Sequence, residues 1–454
     1  MSKYRFGVLP AVATAMFTFS TMQAAAQSPA AAGLSAAGVR NIDTVVNDLV
    51  AKGTVPGAVV LVARHGQVGY LKAFGVSDAQ NKQPLKTDTI FWMASMTKPI
   101  VGAAVMMLVE EGKLQLADPV SRYVPSFRQN PRMVRVFEPG AVAAWQAANA
   151  AARRGGGGGQ GGAAAAGGAP AGGAPAAGAA RAGGPAVPPP SFKQVPANRE
   201  ITIRDLLTHT SGIQPQAGYP PNPTLPAYTA DDTMDSFIPT LSRAAIDFQP
   251  GTQWAYSNAI GFDILAYIVQ TVSGVPFDRF ARERIFTPLN MKDAGWGSGV
   301  TRQGQALMVG NMTNPCVNGT KYICGSAGLW MTATDYGNFA QMLENGGTFN
   351  GKRLLKRETV AEMATNHTGT LMPDRMGMKA AGTGMGLSMM VITDPEKAGV
   401  APLPKGSFGW DGVGSRRFWV VNSKDMVIVM LLPGGQSDVA QRAIEKAALA
   451  AATG

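Results

Sequence analysis

Residues 139–190 form a tract dominated by Ala, Gly and Pro, and this tract limits where the chain can build a hydrophobic core. It contains a run of glycines from Gly155 to Gly159 and a proline triplet at 188–190. Such a composition buries too little apolar surface to offset the chain entropy lost on folding. We therefore predict a disordered insertion over 139–190, with the fold supplied by the flanking sequence. The tract contains few arginines, whereas the Gly/Arg tracts that bind nucleic acid repeat arginine many times.

The composition excludes several classes of protein. The 454 residues are 46% hydrophobic with a net charge of +11, which excludes a wholly disordered chain, and Gly does not recur at every third position as in collagen. His65, His209 and His367 lie far apart and there are two cysteines, so little remains to ligate zinc or an iron–sulfur cluster. No metal or other cofactor and no nucleic-acid partner are expected.

The N-terminus has the pattern of a secretory signal peptide. Lys3 and Arg5 precede an apolar stretch over 6–22, and small residues follow at 24–26. The alternative is a membrane anchor, which Pro10 and several hydroxyl side chains disfavour. We predict a signal peptide over 1–26, a periplasmic or secreted protein, and no stable membrane insertion after cleavage.

Strand signals lie near both ends of the chain. Residues 57–73 alternate around a His65-Gly66 turn as in a β-hairpin. The C-terminal part repeats this signal at 407–410, at 417–421 and, after a turn at 422–425, at 426–432. Short strands joined by tight turns indicate an antiparallel sheet.

Helical spacing occupies the middle of the chain and its C-terminus. The predicted helices are 99–111, 203–207, 261–272, 334–345 and 439–450. The fold class is therefore α+β, with an antiparallel sheet built from both chain termini, flanked by helices, and an inserted all-helical subdomain. The expected boundaries are 27–94 and 330–454 for the α/β subdomain and 95–329 for the helical one, which 139–190 interrupts.

The run Ser95-Met96-Thr97-Lys98 stands at the start of the first long predicted helix. Ser95 and Lys98 are one helical turn apart and share a face. Pro99 cannot donate a backbone hydrogen bond, so regular helical bonding should begin around it and leave this turn exposed. The turn's free amides and the positive end of the helix dipole favour a developing anion. A desolvated, neutral Lys98 would take the serine proton. The plainer alternative is a capping serine beside a solvated lysine.

Two further segments carry candidate site residues. Tyr256 and Asn258 are two residues apart in a loop, where a phenol suits proton relay and an amide suits positioning. A tyrosine packed beside an Asn cap is the alternative. Trp410-Asp411-Gly412 ends a predicted edge strand, at which a glycine allows close approach of a substrate. Backbone N–H groups of Val413 and Ser95 are the candidate oxyanion hole.

Competing catalytic motifs are absent or incomplete. No serine lies in Gly-x-Ser-x-Gly, and no His-Glu-x-x-His occurs. Residues 346–352 fit the first positions of a P-loop, but Arg353 replaces the Ser or Thr that would hold magnesium.

Five motifs in order make the chain resemble the serine β-lactamase and penicillin-binding-protein superfamily, specifically its class C-like branch with the family VIII carboxylesterases. They span about residues 40 to 450 and are 95–98, 201–212 (Ile-Thr-Ile-Arg-Asp-Leu-Leu-Thr-His-Thr-Ser-Gly), 256–258, 325–329 running into 334–336, and 408–412. The resemblance implies a β-lactamase/transpeptidase-like fold and an acyl-serine mechanism.

By this resemblance each matched residue receives a role. Ser95 is the nucleophile, Lys98 its activating base, Tyr256 the proton relay and Asn258 a positioning residue. His209 matches a position that is structural in the family.

One departure from the family bears on the substrate. β-Lactamases and penicillin-binding proteins place at this position a lysine that recognises a substrate carboxylate, and here Trp410 replaces it. A tryptophan at this position is familiar in esterase members of the family. An indole favours apolar groups and Asp411 should repel a carboxylate. Arg416 or Arg417 remains a candidate for the missing cation.

Cys316 and Cys324 close a short loop before Gly325. In an oxidising compartment a disulfide between them is expected, with two reduced, buried thiols as the alternative.

The sequence thus predicts a serine hydrolase acting on small carboxylic esters. The first alternative is a β-lactamase or D-amino-acid peptidase acting on amides. The second is a relative that binds peptidoglycan without turnover.

Overall fold

The computed structural model describes most of the chain outside the N-terminus and the centre of the Ala/Gly tract. The described residues are 28–77, 83–129, 132–155, 187–214, 219–229, 231–257, 259–300, 306–307, 321–373, 375, 378–399, 403–434 and 437–453. The predicted signal peptide over 1–26, Asn258 and Cys316 therefore lie outside the described residues.

Helices and strands alternate along the described chain. The helices are α1 (Ala36–Ala51), α2 (Thr97–Glu110), α3 (Ser126–Gln129), α4 (Ala141–Gly155), α5 (Ile203–Leu207), α6 (Met234–Phe237), α7 (Ile260–Ser273), α8 (Phe277–Ala281), α9 (Ala333–Glu344), α10 (Arg357–Met363), α11 (Pro395–Ala398) and α12 (Ser437–Ala451). The strands are β1 (Gly57–Arg64), β2 (Gln67–Gly75), β3 (Ile90–Trp92), β4 (Met133–Phe137), β5 (Phe192–Pro196), β6 (Gly295–Trp296), β7 (Ala306–Leu307), β8 (Leu329–Met331), β9 (Thr348–Phe349), β10 (Lys352–Arg353), β11 (Thr383–Met385), β12 (Met390–Ile392), β13 (Phe408–Gly412), β14 (Arg416–Val421) and β15 (Met426–Leu431).

The main sheet has seven strands in the order β11-β12-β13-β14-β15-β1-β2, and each neighbouring pair is antiparallel. Its strands come from both ends of the chain, so the predicted fold class is confirmed. The β1–β2 turn at His65 and Gly66 has positive φ at both residues (52° and 70°), the backbone that matches strand twist in a two-residue hairpin. Every residue of β1 is buried, so both faces of the sheet are covered.

Helices flank this sheet. Helix α9 packs on β1, β14 and β15, while α1 and α12 pack against each other and against β2 and β15 respectively. Gly337 of α9 lies so close to Leu61 that an added Cβ would be 2.9 Å from its side chain. The segment 95–329 carries helices α2 to α8, with α2 packed on α7 and α7 on α5. It also carries the paired strands β4 and β5.

The structure differs from the prediction in the Ala/Gly/Pro tract. Residues 141–155 form helix α4, so the prediction of a loop over the whole of 139–190 is wrong for this part. Alanine has the highest helix propensity, which the compositional argument neglected. Trp145 near its start also donates a hydrogen bond from Nε1 to the Val187 carbonyl at 3.1 Å.

The helices and the potential metal ligands of the described residues bear on membrane insertion and on metal binding. None of their helices alone has the length and hydropathy of a membrane span, although α7 and the adjoining 277–286 segment, bent by 80°, reach that length and composition together. Nor do they contain a group of three or more His, Cys, Asp or Glu side chains placed to hold a metal ion.

Candidate active site

Ser95 lies in a tight turn between strand β3 and helix α2. Ala94 just before it has φ of 49°, a left-handed backbone that a non-glycine residue adopts only at a cost. Residues 94–96 form a single 3₁₀ turn and α2 begins at Thr97, two residues before Pro99. Ser95 is 9% exposed. The expectation of an exposed turn is therefore wrong, because neighbouring segments cover it.

Lys98 lies beside Ser95, as the one-turn spacing predicts. Its Nζ atom is 3.3 Å from Ser95 Oγ and 2.9 Å from the carbonyl oxygen of Ser326, and the residue is fully buried. The ammonium lies 5.0 Å from the centroid of the Tyr256 ring. The geometry thus places the amine of Lys98 within reach of the serine hydroxyl, the arrangement of a base beside a nucleophile.

Asp263 of α7 is a buried acid that sequence reasoning missed. Its carboxylate accepts hydrogen bonds from the Ser326 N–H at 2.8 Å and from the Tyr322 hydroxyl at 3.1 Å. Burial raises the pKa of Asp263 to about 6, against the opposing effects of these hydrogen bonds and of Lys98. The signal available in the sequence was an acid inside an otherwise apolar helix. The backbone of one residue, Ser326, thus lies between the acid and Lys98, with its N–H bonded to Asp263 and its carbonyl oxygen to Lys98.

Tyr256 reaches the same site from the loop before α7. Its side chain is buried, and its hydroxyl has no hydrogen-bond partner among the described residues. Its ring lies 4.7 Å from that of His209 and 5.7 Å from that of Trp410, between centroids. The structure therefore brings Ser95, Lys98, Tyr256 and Trp410 together, as predicted, while Asn258 lies outside the described residues.

His209 lies inside this aromatic cluster. Its φ is 58°, and its Nδ1 accepts the Ser257 N–H at 3.2 Å, so a neutral ring carries its proton on Nε2. Burial, together with the charges of Lys98 and Arg375, holds the pKa of His209 well below its usual 6.5. The ring is therefore neutral at physiological pH. Its hydrogen bond to the Tyr256–Ser257 loop is the structural contribution that the motif predicts.

Trp410 is fully buried and lies within the sheet rather than at its edge. Strand β13 pairs with β14 along its length and with β12 at Phe408 and Gly409. Because β12 and β11 lie beyond it, β13 is an internal strand and the expectation of an edge strand is wrong for the strand as a whole, although residues 410–412 at its end pair with β14 alone. The Trp410 ring stacks on His209 at 5.9 Å with an angle of 15° between the planes.

Gly412 packs against the turn that carries Ser95. A Cβ atom there would lie 2.3 Å from the carbonyl oxygen of Met93, closer than any real contact. Only glycine therefore lets the end of β13 approach this turn. Val413 follows in a turn with an exposed side chain, and its N–H remains a predicted oxyanion donor together with that of Ser95.

Arg375 is the cation that meets this strand, and no motif indicated it. Its Nη2 atom lies 2.9 Å from Asp411 Oδ1, and its guanidinium carbon lies 4.4 Å from the Tyr256 centroid and 4.5 Å from the Trp410 centroid. Neither arginine named from the sequence occupies this place. Arg416 donates to the Val413 and Gly414 carbonyls, and Arg417 pairs with Glu445.

Cys324 lies just before the turn that holds Lys98. It is disulfide-bonded, and no described cysteine is free. The predicted partner, Cys316, lies outside the described residues.

The chain is similar to proteins of a known family. A family model described as Beta-lactamase matches residues 42–180 and 185–452. Protein Rv1367c from Mycobacterium tuberculosis is 28% identical over 400 residues, which cover 84% of this chain and 86% of that protein. Esterase EstB from Burkholderia gladioli is 25% identical over 447 residues, covering 90% of this chain and 94% of the esterase.

A solved structure supports the same fold. EstCE1, described as a hydrolase with promiscuous acyltransferase activity, has a TM-score of 0.64 at 21% identity, covering 90% of this chain and 98% of its own. The resemblance predicted from the motifs is thereby confirmed. Since the family match spans most of the sequence, the protein belongs to the Beta-lactamase family and has the fold of its serine hydrolases.

Proposed function

We propose that the protein hydrolyses small carboxylic esters through an acyl intermediate on Ser95. The observation that carries the proposal is the buried contact of 3.3 Å between Lys98 Nζ and Ser95 Oγ. Base and nucleophile at this distance need only a substrate carbonyl above the serine to begin acyl transfer.

In acylation, Lys98 Nζ takes the proton of the Ser95 hydroxyl while Oγ forms a bond to the ester carbonyl carbon. The negative charge moves to the carbonyl oxygen, for which the N–H groups of Ser95 and Val413 are the proposed donors. When the intermediate collapses, the bond to the alcohol oxygen breaks. Tyr256 donates the proton that the alcohol requires and regains one from Lys98.

Deacylation reverses these roles with water as the nucleophile. Tyr256 passes its hydroxyl proton to Lys98 and accepts one from water, as the water oxygen bonds to the acyl carbon; Lys98 holds the proton that Ser95 Oγ needs next. The Ser95 Oγ bond then breaks, and the proton returns to the serine as the carboxylic acid leaves. No cofactor is required for either half of the reaction.

The preference for uncharged esters rests on the strand residues. Trp410 stands in place of a carboxylate-binding lysine, and Arg375 is already paired with Asp411. The relative Esterase EstB carries the name of an ester hydrolase. The alternative is a β-lactamase or D-amino-acid peptidase, for which the presence of Arg375 at the site is the favouring observation. A non-catalytic peptidoglycan binder would not need the Ser95–Lys98 contact.

Two measurements test the proposal. Labelling by a fluorophosphonate should disappear in Ser95→Ala, and unchanged labelling would refute the assigned nucleophile. A p-nitrophenyl short-chain ester should be turned over with a higher kcat/KM than a chromogenic cephalosporin. The opposite order would favour the lactamase or peptidase, and Trp410→Lys should then move activity further toward the cephalosporin.

We also propose a periplasmic or secreted location and small-molecule ester or amide substrates as the partners. The predicted signal peptide supports the location, as does the disulfide at Cys324. Fractionation of cells expressing the full chain, with mass spectrometry of the mature N-terminus, would test it. A protein retained in the cytosol with an intact N-terminus would contradict it.

A further inference from the structure

Arg375 lies over the ring of Tyr256, the proposed proton relay, and pairs with Asp411. The guanidinium carbon is 4.4 Å from the centroid of the Tyr256 ring, and the side chains of Arg375 and Asp411 are 19% and 27% exposed. The pair is therefore part of the wall of the site, yet solvent and small molecules can reach it. A charged pair in this position contacts whatever the substrate places next to Tyr256.

Hydrogen-bond donors without partners surround this pair. Among the described residues these atoms are Tyr256 OH, Arg375 Nε, His209 Nε2, Trp254 Nε1 and Trp410 Nε1. Their rings lie within 4.7 to 6.4 Å of one another, measured between centroids of neighbouring pairs. A buried donor without an acceptor destabilises the folded state. A cluster of such donors fits a ligand rich in oxygen acceptors, such as an acyl group with a carbonyl or carboxylate.

The negative charge of Asp411 favours a carbonyl over a carboxylate as the acceptor. Its carboxylate already occupies one edge of Arg375, and a substrate carboxylate brought to the guanidinium would lie beside it. Like charges this close repel each other, whereas an uncharged carbonyl oxygen accepts from Arg375 without that repulsion.

We infer that Arg375 and Asp411 form a specificity-determining pair, in which Arg375 binds an oxygen acceptor of the substrate and Asp411 acts as an internal carboxylate that excludes anionic substrates. The inference rests on the proposed ester hydrolysis. It adds that the charge of the acyl group determines which esters are good substrates. The wild-type protein then prefers acyl groups with uncharged acceptors, and removal of the Asp411 charge opens Arg375 to a carboxylate.

Two esters of matched size test this directly. Mono-4-nitrophenyl glutarate carries a free carboxylate, and its methyl ester differs by one added methyl group and the loss of the charge. The measured quantity is the ratio of kcat/KM for the anionic ester to that for the neutral one. This ratio should rise at least tenfold in Asp411→Asn, and fall in Arg375→Gln.

The double variant Asp411→Asn/Arg375→Gln shows whether the anionic ester gains by binding to Arg375 or only because the negative charge of Asp411 no longer repels it. It should lose the tenfold gain. A ratio within twofold of wild type in Asp411→Asn would overturn the inference, as would a gain that persists without Arg375. Asp43→Asn serves as the matched control, because Asp43 pairs with Lys72 on strand β2 and should leave the ratio unchanged. Thermal melts followed by circular dichroism verify that each variant is folded. If Arg375→Gln is unfolded, Arg375→Lys takes its place.

Binding to an inactive protein keeps the inference separate from the proposed function. In Ser95→Ala, calorimetry with monomethyl glutarate should give at least tenfold tighter binding after Asp411→Asn, and equal affinities would overturn the pair's role. Should no ester be hydrolysed in a Ser95-dependent way, the proposed function fails, and this binding measurement still decides the specificity pair.

Discussion

The Nζ atom of Lys98 lies 2.9 Å from the carbonyl oxygen of Ser326, a residue 228 positions later in the chain. The N–H of the same Ser326 donates to Asp263. The proposed base is thus held by the backbone of a residue that a buried acid also binds. The position of Lys98 therefore depends on three separate segments of the chain. Changes in any of them should alter the rate of proton transfer from Ser95.

Lys98→Arg should abolish most activity while the protein stays folded. A guanidinium remains charged at all usable pH and cannot take the serine proton. The expected loss in kcat/KM for a p-nitrophenyl ester is about 10²–10⁴-fold, the usual contribution of a general base. Lys72→Arg, at an exposed ion pair on β2, is the control and should retain activity. Activity within tenfold of wild type would contradict the role of Lys98.

Tyr256→Phe removes the hydroxyl and keeps the ring that Arg375 and Lys98 contact. We expect kcat to fall by about 10²-fold or more with a melting temperature close to wild type, because a proton relay is lost without a cavity. Stopped-flow and steady-state rates with the same ester measure this. Tyr219→Phe provides the control, since its hydroxyl bonds Gln253 at the surface. An unchanged kcat would exclude Tyr256 as the relay.

Gly412→Ala should damage the active site beyond its effect on stability. The added methyl group would lie 2.3 Å from the Met93 carbonyl oxygen and push the Ser95 turn away. Gly409→Ala on the same strand gives a comparable clash, 2.1 Å from the Phe418 carbonyl oxygen. Both variants should melt at lower temperature, but only Gly412→Ala should lower kcat per active site titrated by fluorophosphonate. Equal kcat values in the two variants would argue against this reading of Gly412.

Stability should depend on pH through Asp263. Its folded pKa of about 6 lies above the ordinary value of 3.8, so the folded state keeps a proton that the unfolded state releases between these values. The contribution of Asp263 to the free energy of unfolding is present below pH 4 and is lost as the pH rises through 6. A pKa shift of this size corresponds to a loss of about 3 kcal/mol.

Asp263→Asn cannot ionise and should escape this loss. Its melting temperature relative to wild type should therefore increase between pH 4 and pH 7, as measured by calorimetry at fixed ionic strength. The exposed acid Asp48, replaced in the same way, should show no such trend. Parallel curves for wild type and Asp263→Asn would contradict the assignment.

Reduction of the Cys324 disulfide should weaken the turn that holds Lys98. A bridge closing a short loop contributes about 2–3 kcal/mol to stability. We expect dithiothreitol, and separately Cys324→Ser, to lower the melting temperature and the activity together. Non-reducing peptide mapping should identify Cys316 in the bridged peptide. A thermal transition that reduction leaves unchanged would contradict this contribution.

Local patterns predicted the elements well. The alternation of apolar residues placed the hairpin at 57–73, and helix α5 spans the predicted residues 203–207. Helix α4 was missed because low sequence complexity was taken for disorder although alanine favours helix. The buried state of Ser95 was missed for a different reason, since burial depends on segments far away in the chain.

By itself, the sequence determined the features that lie within one turn or one strand. Ser95 and Lys98 share a helix face through their spacing, and the ordered motifs identified the family. Tertiary structure alone decided that Arg375, Asp263 and Ser326 join this site, and that Trp410 lies inside the sheet. Periods of 2 and 3.6 residues are local properties of the backbone, whereas contacts between distant segments depend on the order of strands and on how helices pack upon them.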